Sequence, residues 1–274
     1  MPVTTFSTSD TLSTKDALSE LYRYRGLLYA IIQRDIRIKY KQSVMGFMWA
    51  ILMPLLIVMV GVLVRFAYSR ASNSDMALAD VAGVAIKSVP WAFTVASIRF
   101  SSTSLLSNVN LVTKIYFPKE VFPLAAVGSN LFDLAIASVP LLVIIVLSGA
   151  TFTIHLLWVP LLVAILIMFV SGIAMLISAA SLFFRDVKYL VEIALTFGIF
   201  VTPVFFGTAM FGEYGVYMKL NPLSSLFEGL ETTVLHGAPP DIPWVAYSTI
   251  LSFIGLIGGY VFFKKLEPAF AENI

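Results

Sequence analysis

Three charged side chains lie inside long apolar stretches of the sequence: Arg99, Asp133 and Glu192. A charge within an apolar helix is costly unless it meets a partner or water, so such residues are candidates for function. A guanidinium and two carboxylates can form ion pairs or hold a polar substrate. Arg99 stands in a serine-rich segment that cannot comfortably face lipid. Two roles for Arg99 are therefore open, a structural pair with Asp133 or a place along a substrate path.

Sequence motifs of several enzyme classes do not occur. The chain has no G-x-x-x-x-G-K-[ST] loop that would cradle the phosphates of ATP, no H-E-x-x-H and no G-x-S-x-G. It has no cysteine and only two histidines, which excludes disulfides, thiol catalysis and Cys-rich or His-rich metal sites. Single acids such as Glu120 and Asp186 do not make the acidic cluster expected of a membrane glycosyltransferase, the enzyme alternative. We expect a non-enzyme that binds no metal or cofactor.

The composition indicates a membrane protein. Of the 274 residues, 59% are hydrophobic, and the mean hydropathy is +0.91. A soluble domain has roughly 45–50% apolar residues and could not bury this surplus. The net charge of +2 is too small to indicate a nucleic-acid partner.

A hydrocarbon core of about 30 Å requires roughly 20 helical residues, and six stretches of the sequence approach that length. The predicted spans are 45–66, 89–108, 122–148, 156–183, 190–207 and 244–263. They form one all-α transmembrane domain over 44–263. A polar tail at 1–16 and a helix at 17–43 precede this domain, and a short tail at 264–274 follows it.

Lysine and arginine concentrate on one side of the predicted spans. That side holds most of the basic residues of the chain, in the N-terminal segment, the second and fourth connections and the C-terminal tail. The other side holds only Arg65, Arg70, Lys87 and Lys219. Because basic loops remain in the cytoplasm, we expect a multi-pass protein with both termini cytoplasmic.

The segment before the first span is unusually rich in charge. Its charged and aromatic residues are Arg34, Asp35, Arg37, Lys39, Tyr40 and Lys41. Their alternation with Ile36 and Ile38 is typical of a strand, whereas the apolar residues before them recur at helical spacing. An unpaired strand at a membrane surface would leave its backbone groups unsatisfied. We predict an amphipathic interfacial helix that bends into the first span near Gly46. The alternative is a positive-inside anchor that anionic lipids hold.

A second short helix is predicted between the fifth and sixth spans. Asn221 is a suitable N-cap, Pro222 suits the first helical position, and Gly237 with Pro239 would end the helix. About 15 helical residues reach only ~22 Å, too short to span. The helix should therefore dip into the membrane and return, or rest on its surface.

Four motifs resemble, in order, those of one transporter family. They are RDIRIKYKQSVMGFMWAILMPL (34–55), NLVTKIYFPKEVFPLA (110–125), FFRDVKYL (183–190) and KLNPLSSLFEG (219–229). The pattern, which covers residues 20 to 263, is similar to that of ABC-2 type permeases that export O-antigen, capsule or wall teichoic acid. The resemblance implies a homodimer of six-helix subunits in the inner membrane. A separate ATPase subunit would use ATP and Mg to drive a lipid-linked polysaccharide across the membrane.

The resemblance also implies roles for particular residues. Contacts with the ATPase would come from Lys114, Ile115, Tyr116, Phe117, Arg185 and Asp186, although an ordinary turn and a local ion pair are the plainer alternatives. An extracytoplasmic gate with a re-entrant helix would include Tyr214, Tyr217, Asn221, Pro222 and Phe227.

Aromatic rings suit the apolar faces of sugars, so a glycan path would use the aromatic residues of the second and fifth spans. The candidates are Trp91, Phe93, Arg99, Phe100, Phe197, Phe200 and Phe205, together with Phe206. Each aromatic could instead face lipid. The runner-up function is an ABC-2 permease for a drug, lipid or peptide. A secondary transporter or channel is less favoured, because the sequence shows no inverted repeat and no acidic relay.

Overall fold

The computed structural model describes residues 22–41, 45–73, 75–114, 117–150 and 153–272, without the side chains of Lys114 and of 271–272. Every regular element within these ranges is helical, which confirms the all-α prediction. The helices are α1 (Arg25–Lys41), α2 (Met48–Ala71), α3 (Leu78–Thr103), α4 (Val109–Lys114), α5 (Val121–Leu147), α6 (Trp158–Phe183), α7 (Val187–Val201), α8 (Gly215–Lys219), α9 (Pro222–Leu235) and α10 (Ile242–Leu266). Short 3₁₀ segments cover Leu106–Asn108, Ile154–Leu157, Thr208–Tyr214 and Glu267–Glu272.

Five helices within the described ranges are long and apolar enough to cross a membrane: α2, α3, α5, α6 with its preceding turn, and α10 with the turn that follows it. The predicted fifth span, 190–207, differs from the structure. Its helix α7 has 15 residues and ends at Val201, which gives a length of only ~22 Å. The physical reason is Pro203, because the residue before a proline avoids helical geometry. Thr202 is accordingly extended, with φ −102° and ψ 134°.

The predicted second span also differs in its beginning. Helix α3 starts at Leu78 rather than at residue 89. It therefore includes Lys87, for which a position in a loop was predicted. The helix is the centre of the bundle, and most of its side chains from Ala82 to Ser102 are buried. Its serines face protein rather than a water-filled path. For example, the Ser104 hydroxyl lies 2.9 Å from that of Ser178 in α6.

Helices α6 and α10 pack backbone to backbone. A side chain at Gly172 would overlap the backbone at Gly255, and one at Gly259 would overlap the carbonyl of Gly172. Small residues permit such close approach between membrane helices. This pair therefore forms one wall of the bundle.

The two ends of the bundle have different connections. At the basic end, α3 ends, α5 begins and α10 ends. There the buried carboxylate of Glu120 lies 2.9 Å from the ammonium of Lys264, which also pairs with Glu267 at 2.9 Å. Burial raises the pKa of the Glu120 carboxyl, although the Lys264 ammonium opposes this effect. At the opposite end, α2 ends, α3 begins and α9 packs against α3, α6 and α10.

The N-terminal helix α1 lies along α5, with the side chain of Ile32 close to Gly128. It is helical through the charged segment, where residue alternation alone suggests a strand. The predicted residues 17–21 and 42–43 of this helix lie outside the described ranges. Gly46 has φ +49°, a conformation that glycine adopts at little cost, and α2 begins two residues later. The backbone therefore turns at Gly46, where the bend into the first span was predicted.

Candidate functional site

A cavity of about 780 Å³ opens between the end of α1 and helices α2, α3, α5 and α7. This volume is typical of a small-molecule site. Its walls are mainly apolar and include the rings of Trp49, Phe93, Phe100, Phe200 and Phe205. Such a surface suits a ligand that offers flat apolar faces.

The polar side chains that line this cavity include Lys39, Tyr40, Arg99, Asn130 and Asp133, and Glu192 pairs with Arg99 beside them. We call these six residues the polar mouth. The Asp133 carboxylate accepts hydrogen bonds from the Lys39 ammonium and the Tyr40 hydroxyl. Lys39 also donates to Asn130 at 3.1 Å and lies 4.7 Å above the ring of Phe100. Burial, together with the bond to Asp133, raises the pKa of Tyr40 well above its usual range. The mouth therefore attaches the end of α1 to α5.

Within the polar mouth, Arg99 of α3 pairs with Glu192 of α7. Its Nε and Nη2 atoms lie 2.6 and 2.8 Å from the two carboxylate oxygens of Glu192. The structural pair of Arg99 with Asp133 was therefore the wrong pair. Asp133 instead binds Lys39 and Tyr40 of α1, and Arg99 binds Glu192 of α7. No local sequence pattern determines where α1 packs. Both side chains of the observed pair are about half exposed.

Five of the seven predicted path residues line the cavity, namely Phe93, Arg99, Phe100, Phe200 and Phe205. The other two do not. Trp91 is buried and packs against α7 at Gly198, whereas Phe197 is exposed on the outer surface of α7. Phe206 contacts Phe205 and Phe211 edge-on, beside the cavity.

The sequence reasoning missed Asn130, which lies three residues before Asp133 on the same face of α5. Residues three apart on a helix are neighbours, so the charged position could have indicated its polar neighbour. It also left Glu192 without a partner, because that partner lies on a distant helix.

The residues assigned to ATPase contacts have different environments. Arg185 and Asp186 are exposed in the turn between α6 and α7. Phe117 is buried and meets Phe122 edge-on at 5.5 Å between centroids. Ile115, Tyr116 and the side chain of Lys114 lie outside the described part of the chain.

The residues assigned to a gate also differ in their environments. The Asn221 side chain accepts a hydrogen bond from the Leu223 N–H at 3.1 Å, and Pro222 is the first residue of α9, which confirms the predicted cap. Phe227 is fully buried against the bundle. Tyr214 and Tyr217 are stacked on each other at 6.5 Å and largely exposed.

The charged segment of α1 has two faces. Arg34 donates to Asn108 at 2.7 Å and pairs with Asp35 at the same distance, while Lys39 and Tyr40 reach the polar mouth. Arg37 and Lys41 point away from the bundle. They line a groove of about 450 Å³ with Ala30, Gln33, Arg34 and Ile38.

Several known proteins are similar to this chain over most of its length. Residues 26–235 match the family of ABC-2 type transporters. The chain is also similar to proteins described as O-antigen export system permease protein RfbA. One from Myxococcus xanthus is 27% identical over 259 residues, which cover 93% of this chain and 98% of that protein. Two from Klebsiella pneumoniae are each 26% identical, over 90% of this chain and 94% of theirs. The match extends over most of the chain, and the protein belongs to the ABC-2 type transporter family.

Proposed function

We propose that this chain is the permease subunit of an ABC exporter that moves a lipid-linked polysaccharide of the O-antigen, capsule or teichoic-acid type across the inner membrane. The observation that carries the proposal is the similarity to O-antigen permeases over nine-tenths or more of the chain. The cavity with aromatic walls and a polar mouth supports the same cargo.

In this proposal the chain has no ATPase site and works as a homodimer, with a separate subunit that hydrolyses ATP with Mg. Both termini and the basic end face the cytoplasm, which agrees with the positive-inside rule. Helix α7 and the segment 202–235 together replace a sixth continuous span. Helix α7 enters from the cytoplasmic side, and α9 enters from the outside and returns. The exposed ring of Phe197, on the outer surface of α7, faces the second subunit.

The glycan path begins at the polar mouth. Sugar hydroxyls exchange hydrogen bonds with Arg99 and Glu192, whose half-exposed pair separates at little cost. Sugar faces then stack on Phe93, Phe100 and Phe200 inside the cavity.

Coupling to the ATPase uses the exposed turn with Arg185 and Asp186. Phe117 acts from within, because its buried ring joins the segment before α5 to the core of the basic end. A movement of that segment would therefore be transmitted to α5 and α10. The salt link of Glu120 with Lys264 ties the same parts together.

The test is deletion of the gene, followed by complementation with the chain alone or with its cognate ATPase subunit. We expect surface polysaccharide to disappear on deletion and to return only when both subunits are present. Normal polysaccharide in the deletion strain, or transport by the purified chain without an ATPase, would contradict the proposal. A deletion strain with altered drug sensitivity and normal polysaccharide would favour the alternative cargo.

A further inference from the structure

A second pocket, of about 350 Å³, lies at the opposite end of the bundle between α2, α3, α9 and residues 205–210. It differs from the cavity in its lining, which is rich in charge. The polar side chains around it are Arg65, Asp80, Lys87, Glu231 and His236. We call it the outer pocket.

Lys87 is the most deeply buried charge of the outer pocket, with 3% of its side chain exposed. Its ammonium lies 2.9 Å from a carboxylate oxygen of Glu231 and 3.2 Å from the carbonyl oxygen of Phe206. These contacts use two of its three protons. Among the described residues the ammonium has no third acceptor, and Lys87 lines the pocket.

The remaining charges of the outer pocket are balanced. Arg65 forms a two-pronged contact with one oxygen of Asp80, at 2.7 Å from Nη2 and 3.2 Å from Nε. The pocket thus presents two cations and two carboxylates, which disfavours an ionic ligand of either sign. Carboxylates, guanidinium and ammonium groups together accept from and donate to hydroxyls. A neutral ligand with many hydroxyl groups fits this lining best.

Phe205 connects the outer pocket to the cavity, because its ring lines both. The ring is buried and held tightly, since a side chain at Gly61 of α2 would overlap it. A side chain at Gly61 would also overlap the side chain of Val84 in α3. The apolar cavity and the charged pocket are therefore neighbouring compartments with one aromatic side chain between them.

We infer that the outer pocket is a second saccharide-binding subsite, which takes a neutral, hydroxyl-rich sugar unit of the exported glycan after it passes Phe205. This inference rests on the proposed function. Lys87 and Arg65 donate to the sugar, and Asp80 and Glu231 accept from its hydroxyls. The subsite holds the leading sugar units of the glycan while the rest of the glycan passes through the cavity.

Thiol labelling tests the inference directly, because the sequence has no cysteine. Ala79→Cys introduces a thiol into the wall of the outer pocket, and Ala71→Cys introduces one at the exposed end of α2, outside it. Both variants are expressed with the ATPase subunit in a glycan-producing strain and in a strain unable to make the glycan. Intact spheroplasts are then treated with a membrane-impermeant maleimide.

We expect Ala79→Cys to label several-fold more slowly when glycan is made, and Ala71→Cys to label equally in both strains. Equal labelling of Ala79→Cys in both strains, with normal export, overturns the subsite and leaves the proposed function intact. If neither thiol reacts from outside, the pocket faces the cytoplasm, and the proposed orientation fails together with the subsite.

A second test separates sugar binding from a structural role of the buried pair. Replacing both partners of a buried ion pair by apolar residues of similar size is often neutral for stability. We therefore expect the double variant Lys87→Met with Glu231→Met to accumulate normally while export falls about tenfold, the effect of losing hydrogen bonds to charged groups. Its control is Lys219→Met with Asp241→Asn, a more exposed pair outside the pocket, which should export normally. Normal export by the first double variant would overturn the inference.

Discussion

The polar mouth and the outer pocket both contain cation–carboxylate pairs, but the pairs differ in burial. At the mouth, Arg99 and Glu192 are 51% and 45% exposed. In the outer pocket, Lys87 is 3% exposed and its partner Glu231 is 24% exposed. An exposed pair contributes about 0.2–1 kcal/mol, whereas breaking a buried one costs about 3–5 kcal/mol. The mouth can therefore change partners during transport, while the outer pocket also holds α3 and α9 together.

The largest expected effect comes from Lys87→Met, which leaves the Glu231 carboxylate without its cation. We expect the free energy of unfolding to fall by about 3 kcal/mol, at the lower end for a buried pair because Glu231 retains some contact with solvent. Thermal unfolding of the purified protein measures the loss. The control is Arg99→Met at the mouth, which should cost no more than about 1 kcal/mol. Equal losses in the two variants would contradict the difference in burial.

Asp133→Asn should have the next largest effect, because Asp133 fastens the end of α1 to α5. Neutralising it weakens the charged hydrogen bonds from Lys39 and Tyr40, at a cost of about 1.5–3 kcal/mol. We expect faster hydrogen exchange at the backbone amides of α1 near residue 40, with unchanged exchange in α9. Arg37→Gln is the matched control, since Arg37 points away from the bundle. Unchanged exchange in Asp133→Asn would show that apolar contacts alone hold α1.

How far the sequence predicts the fold can be seen from α9 and α3. The start of α9 follows from local chemistry, since the Asn221 side chain caps its own helix, and sequence predicts such caps well. The start of α3 does not follow from local chemistry, because the charge of Lys87 favours a position in a loop. Its place within a buried helix depends on contacts with Glu231 and the Phe206 carbonyl, which are distant in the sequence. The partner of Arg99 depended on the packing of α7 and α1, which no spacing within one segment determines.

Gly83→Ala should have a smaller effect on the outer pocket and keeps every charge. A methyl group at this position would overlap the Glu231 carboxylate and displace it from Lys87. Because the Glu231 side chain is flexible, we expect a loss of only about 1 kcal/mol in the free energy of unfolding, with a clear loss of export. Gly258→Ala in α10 is the control, since a side chain there meets nothing within 4 Å. Full export in Gly83→Ala would mean that the position of Glu231 is unimportant.

The smallest effect on stability is expected from Arg99→Lys at the mouth. Lysine keeps the positive charge but lacks the planar fork that contacts both oxygens of Glu192. Because the pair is half exposed, the free energy of unfolding should change by less than about 0.5 kcal/mol. Export should nevertheless fall, since a guanidinium can offer hydrogen bonds to a sugar and to Glu192 at the same time. Measuring export and stability on the same preparations decides the matter. If both remain at the level of the unmodified protein, Arg99 contributes only its charge, and the mouth attracts the cargo without orienting it.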